Sequence, residues 1–279
     1  MEKISQKKKW TELEILKNNL VTDMFVNVAD QDYIISRLAY QKGLMYPFFW
    51  NAGQAIEKYL KASLLLNGKS SKSQGHDLQK LYREICLFAG DLLPTVLVRP
   101  SQLTRLVKGN WTEETPVQFL ERTSHYASTA NRYGVFGYTS KIEDICHLDQ
   151  LIFAIRRLAF GLHLWPFLGK HQDGAPQTVR AMLEQFPEYS PRGRLSEFHK
   201  LTSEMADPDL RHAAFNMNFP FAPANYNQES VRILIRSGLK KSVLFTNIIA
   251  PAENGQSPSN KTVAADLADW AVTNIKFPS

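Results

Sequence analysis

Between Tyr46 and Leu66 the chain places Phe49, Ala52, Ile56, Tyr59, Leu60, Ser63 and Leu64 at three- and four-residue spacing. Gln54, Glu57, Lys58 and Lys61 keep to the other faces, so the segment reads as an α-helix with one long apolar stripe. A stripe of this length has to be covered by partners of the same period, which makes a helical bundle the architecture to expect. Asn67-Gly68 supplies a left-handed stop, and residues 69–75 form a polar loop.

Partners of matching period flank it. Ile34, Ile35, Leu38 and Ala39 form a stripe over Asp30 to Tyr40, with Asp30 or Asp32 as the expected cap and Gly43 as its end. Leu78, Leu81, Tyr82, Ile85 and Cys86 form another, entered through His76-Asp77, where Asp77 accepts from unpaired amides. Further helical stretches are expected within 101–107 and near 117–129, followed by the turn-rich connector Asn131 to Tyr138. A long helix is then expected from a Ser140 cap through Ile142, Ile145, Cys146, Leu148, Ile152, Ile155 and Leu158 to about Leu164, closed by Pro166. Past Gly169 the texture changes. Short helices are expected near 177–186 and 195–206, a hairpin over 231–248 around Gly238, and a last helix capped by Thr262 with Val263, Leu267, Trp270 and Ala271 on one face.

The fold class expected is therefore mainly α: an up-and-down bundle over 30–169, preceded by a segment 1–29 and followed by a smaller α+β region 170–279 containing the hairpin. The charge balance of +6 is compatible with a polyanionic partner without demanding one. Two cysteines, Cys86 and Cys146, are too few for a disulfide scaffold and read as reduced, buried thiols of a cytoplasmic protein. The charged start at Met1 to Lys9 lacks the apolar stretch of a secretory signal. The apolar run Leu151 to Leu168 holds Arg156 and Arg157 near its middle, so it reads as a buried helix and no membrane partner is expected. There is no phosphate loop of the Gly-x-x-x-x-Gly-Lys type, no His-Glu-x-x-His and no Cys-x-x-Cys, and no cofactor or metal is expected.

In order, the chain offers an Asp-led helix, Asn51-Ala52-Gly53-Gln54-Ala55-Ile56-Glu57-Lys58-Tyr59-Leu60-Lys61-Ala62, a glycine and polar loop, His76-Asp77-Leu78, then Asn131-Arg132-Tyr133 and a closing amphipathic helix. This series resembles the HEPN domain (higher eukaryotes and prokaryotes nucleotide-binding) over about Asp30 to Leu164. The resemblance implies a bundle of helices, often dimeric, that binds nucleotides or RNA in RNA-processing, defence or toxin–antitoxin-like systems, some relatives working beside a nucleotidyltransferase. Its nuclease branch pairs an arginine with a histidine four to six residues on, without a metal. Arg157 and His163, with five residues between them, and Arg156 and His163, with six between them, are the pairs that fit, and the second, seven apart in number, would lie near one face of a continuous helix. Alternatively, Arg156 and Arg157 pair with an acid or snorkel while His163 marks a helix end. The expected binding residues are Gln54, Glu57, Lys61 and His76, then Arg132 and Tyr133, a guanidinium for phosphate and a ring for a base. A solvated helix face, a cap and a docked ring are the structural alternatives. Three functions stay open: nucleotide or RNA binding, an endoribonuclease using the Arg/His pair, and a module pairing with itself or a nucleotidyltransferase.

Overall fold

The computed structural model describes residues 11–99, 111–135, 137–139, 141, 143–163, 166–170, 176–185 and 261–276. Thr11 opens the first helix with a capping box, its hydroxyl accepting from the Glu14 amide while the Glu14 carboxylate accepts from the Thr11 N–H. That helix, α1 (Glu12–Val21), runs through a π-helical turn (Thr22–Val26) into α2 (Asn27–Gln41). The expected start at Asp30 is thus displaced, because the chain is already helical there. Neither aspartate caps: Asp30 is fully buried, and Asp32 binds Lys58 Nζ at 2.6 Å. Gly43 ends the helix at φ 71°, as its freedom in the left-handed region allows.

The central helix α3 (Met45–Leu66) buries every residue of the stripe read from the sequence. Gly68 follows at φ 75°, and α4 (Leu78–Ala89) begins on the Asp77 cap, whose carboxylate accepts from the Lys80 amide at 2.9 Å. Cys86 falls on the exposed side of α4 rather than in its stripe, and Cys146 is half-buried, so the expectation of two buried thiols is corrected. Next, α5 (Pro116–Tyr126) carries a second capping box between Thr115 and Gln118. The helical stretch expected within 101–107 lies outside the described residues.

The closing helix α6 is shorter than its apolar run: it spans Asp144–Arg156 and ends eight residues before Leu164. Ser140 and Ile142 lie outside the described residues. The early end has a tertiary cause. Asn67 Nδ2 donates to the carbonyls of Leu158 and Phe160 at 3.1 and 2.9 Å, and its Oδ1 accepts from the Leu162 amide at 3.0 Å. One side chain from the end of α3 thereby satisfies backbone groups that a continuing helix would have satisfied itself. Leu158, Ala159 and Leu162 stay buried in that turn.

Beyond it, β1 (Pro166–Lys170) pairs antiparallel with β2 (Pro176–Thr178), which leads into α7 (Val179–Gln185). The hairpin expected over 231–248 and the helix near 195–206 lie outside the described residues. A last helix, α8 (Lys261–Asn274), buries Leu267 and Ala271 as its pattern predicts. The apolar core is continuous from Leu20, Val21 and Val26 through the α3 and α6 stripes to Leu267, Ala271 and Ile275, so both flanking segments contribute to it. Among the described residues the protein is mainly helical, and no helix is long and apolar enough to cross a membrane.

Candidate nucleic-acid interface

Arg156 and Arg157 end α6 in different surroundings. Arg156 is buried and grips Asp30 with both ends of its guanidinium, Nε to Oδ1 at 3.0 Å and Nη2 to Oδ2 at 3.2 Å. Tyr59 donates to the same carboxylate at 2.5 Å, and burial beside that anion raises the phenol far above its ordinary pKa. Arg157 donates to the Leu92 carbonyl at 2.6 Å and lies over the Phe153 ring; burial lowers its pKa. His163 is exposed, beyond the end of the helix. Because α6 stops at Arg156, the expected sharing of one helical face between Arg156 and His163 does not occur.

Glu57 and Lys61 are not on a solvated face. Both are buried, joined at 2.7 Å across one turn of α3. The loop after Gly68 lays His76 Nδ1 at 2.9 Å from the same Glu57 oxygen, leaving the imidazole largely exposed. Gln54 joins the neighbouring face instead, accepting from Lys58 at 3.1 Å. The structure therefore brings Glu57, Lys61 and His76 together and leaves Gln54 apart.

Arg132 and Tyr133 lie on a 3₁₀ turn, Thr129–Tyr133, that follows α5. Asn131, 1% exposed, pins the turn: its Oδ1 accepts from Tyr46 at 3.1 Å and its Nδ2 donates to the Tyr126 carbonyl at 3.2 Å. Gly134 closes it at φ 71°, a conformation that strains any other residue, and a Cβ there would sit a tight 3.0 Å from the Tyr46 hydroxyl. The Tyr133 ring is not docked on the bundle, as one expectation had it, but is 87% exposed. Tyr138, 40% exposed, stands edge-on to Tyr46 at 5.3 Å.

One polar centre was not anticipated. Glu114 accepts from Arg122 at 3.1 and 2.6 Å and faces Lys141 at 3.4 Å and His147 Nδ1 at 3.2 Å. Arg122 also holds buried Asp144 at 2.7 Å. Burial alone would raise the Glu114 carboxyl, but Arg122, with Lys141 and His147 behind it, brings it below its ordinary pKa. Burial between Trp111 and Phe119 lowers the pKa of His147, Glu114 opposing it in part. An open cleft of about 520 Å³ adjoins this centre, lined by Gln118, Glu121, Arg122 and His125 on one face of α5 and by Glu113 and Glu114 opposite. The spacing of those α5 residues, three and four apart, was the available signal; their partners come from loops and α6, which no local pattern links to them.

The family model for the HEPN domain matches residues 23–136. That span takes in α2 to α5 and the Arg132–Tyr133 turn but stops before α6, so Arg156, Arg157 and His163 lie outside it. No curated protein and no solved structure matches the chain.

Proposed function

We propose that the chain, whose residues 23–136 match the family model for the HEPN domain, binds a nucleotide or RNA through the turn carrying Arg132 and Tyr133, as domains of that family are generally related to nucleotides and RNA. One observation carries this reading: a tyrosine with 87% of its surface open, on a turn pinned by the buried Asn131 and closed by a left-handed glycine. Arg132 stands next to it in the sequence and supplies charge for a phosphate. In this reading Arg156 belongs to the scaffold, a role supported by its double grip on Asp30.

Titration of labelled RNA and of a labelled mononucleotide against the full chain, across a salt series, tests the proposal. Binding at low salt that weakens steadily as salt rises is expected, with Arg132→Gln lowering both the affinity and the salt slope. No binding even at low salt removes it. The same mixtures, read for strand scission with the parent chain and with His163→Ala, separate binding from cleavage. Scission that disappears in His163→Ala would support the enzymatic reading instead.

A further inference from the structure

His147, in the polar centre beside the cleft, is 0% exposed and packs edge-on against the rings of Trp111 and Phe119. Its Nδ1 stands 3.2 Å from Glu114, whose carboxylate is gripped by Arg122 and can only accept, so the neutral ring carries its proton on Nδ1. Nε2 is then bare, and among the described residues it has no hydrogen-bond partner. A bare ring nitrogen suits an apolar pocket. An N–H does not, because the imidazolium holds a buried donor with nothing to receive it. Protonation therefore calls for water at Nε2, and a ring with no exposed surface meets water only if its cover moves.

Part of that cover is the segment 111–115, which packs Trp111 on the ring and binds it through Glu114. The segment is tied down by the Leu97 amide, donating to the Glu114 carbonyl at 2.7 Å, and by its own Thr112 amide, donating to the Glu143 carboxylate at 3.2 Å. It also gives the cleft one of its walls, Thr112 to Glu114. We propose that His147 is a proton switch for this cleft: a second ring proton lifts the 111–115 segment from α6, and the wall formed by Glu113 and Glu114 goes with it. Arg122 keeps Asp144 at 2.7 Å when Glu114 leaves, so its charge is not stranded. The surrounding charges leave His147 as the trigger. Burial lowers its pKa, with Glu114, Glu143 and Asp144 opposing in part, so the open form binds the proton more tightly and the closed form loses ground as pH falls below the ordinary histidine range. Burial raises the Asp144 carboxyl in spite of the Lys141 amide and Arg122, so acid favours its place in the closed form. Glu114, which burial alone would raise, is brought below its ordinary pKa by Arg122 and Lys141 and gives way only under the carboxylate range.

Amide exchange of the full chain, followed by NMR from about pH 7.5 to about pH 4 and corrected for the intrinsic rate at each pH, tests the switch. In the parent, the corrected exchange of the Leu97 amide should be about tenfold faster at about pH 5 than at about pH 7.5, while the Ile56 amide in the middle of α3 keeps its protection. The rise should set in near about pH 6.5, where an open histidine titrates. His147→Asn sets an amide where Nδ1 was, keeps a donor for Glu114 and cannot titrate, so its Leu97 amide should lose this response; His147→Phe, which fills the pocket with a ring, should lose it too. A Leu97 amide indifferent to pH in the parent overturns the switch. So does a rise that begins only near about pH 4.5, which belongs to a carboxylate and needs no variant to be recognised. A response that survives in either variant assigns the opening to another group, and Leu97 and Ile56 accelerating together means global acid unfolding; both outcomes remove the proposal.

Discussion

Gly53 lies in the middle of α3, where glycine costs a helix about 1 kcal/mol relative to alanine. It is there because α5 ends against it: a Cβ at this position would stand 2.8 Å from the Ala127 Cβ. Neither atom has a rotamer to give way with, so a methyl at Gly53 forces two helices apart. Gly53→Ala should therefore destabilise the protein by about 1–2 kcal/mol net, overpacking outweighing the gain in helix propensity. A denaturant midpoint at or above that of the parent would show that the two helices do not meet there. The sequence displays Gly53 plainly, inside Asn51-Ala52-Gly53-Gln54, but not the neighbour that demands it. Glu57 and Lys61 tell the same story in reverse. Their place in the period assigns them to water, yet both are buried, and Glu57 also meets His76 from a loop whose path no periodicity encodes. The aromatic turn was half legible: Arg132 and Tyr133 stand out by type, but whether the ring docks or stays open depends on Asn131 and Tyr46, distant in sequence and adjacent in space.

Some helix ends, by contrast, were legible from local residues: Gly68 stops α3 and Asp77 starts α4. The early end of α6 was not, since the side chain responsible comes from α3. Nor was the way α2 and α6 recognise each other. Asp30 and Arg37 on α2 stand seven residues apart, as do Asp149 and Arg156 on α6, about two helical turns in each case. Asp30 takes Arg156 and Arg37 takes Asp149, a reciprocal pair of buried ion pairs between the two helices, each carboxylate receiving in addition a tyrosine hydroxyl, from Tyr59 and Tyr33 respectively. Burial holds the Asp149 carboxyl above its ordinary pKa even with Arg37 beside it, a sign of how much desolvation the pair bears. Such a pair does more for register than for net stability. Removing one member should cost about 3–5 kcal/mol, because the other charge is left buried and alone. Asp149→Leu is thus expected to be severely destabilising, and Arg37→Met together with Asp149→Leu to cost less than the two changes summed, by about 1–3 kcal/mol in a double-mutant cycle read by urea unfolding. Strict additivity would mean that the two side chains act independently of each other.

At the scale of the whole molecule, the last helix returns to the first. Leu267 and Ala271 of α8, with Ile275 just after it, are buried in the common core, and Lys17 of α1 lies over the Trp270 ring at 5.3 Å. The C-terminal end of α8 leaves carbonyls that its own turns cannot satisfy. The loop between α3 and α4 supplies the donors: the Ser71 amide and hydroxyl reach the Asn274 carbonyl, each at 3.2 Å, and Lys72 Nζ reaches the Val272 carbonyl at 2.7 Å. That loop goes on to carry His76 onto Glu57. The terminal helix therefore steadies a loop that also touches the centre of α3, and loosening one end should be felt at the other. Leu267→Ala should cost about 2–5 kcal/mol as a buried leucine truncation. Its signature is local as well as global. If α8 undocks before the bundle unfolds, the Ser71 amide should exchange with solvent far faster than in the parent, while amides in the middle of α3 keep their protection. A Ser71 amide as slow as before, in a variant whose melting point has fallen, would show that the loop holds its shape without α8, and the coupling between α8 and the loop would have to be given up.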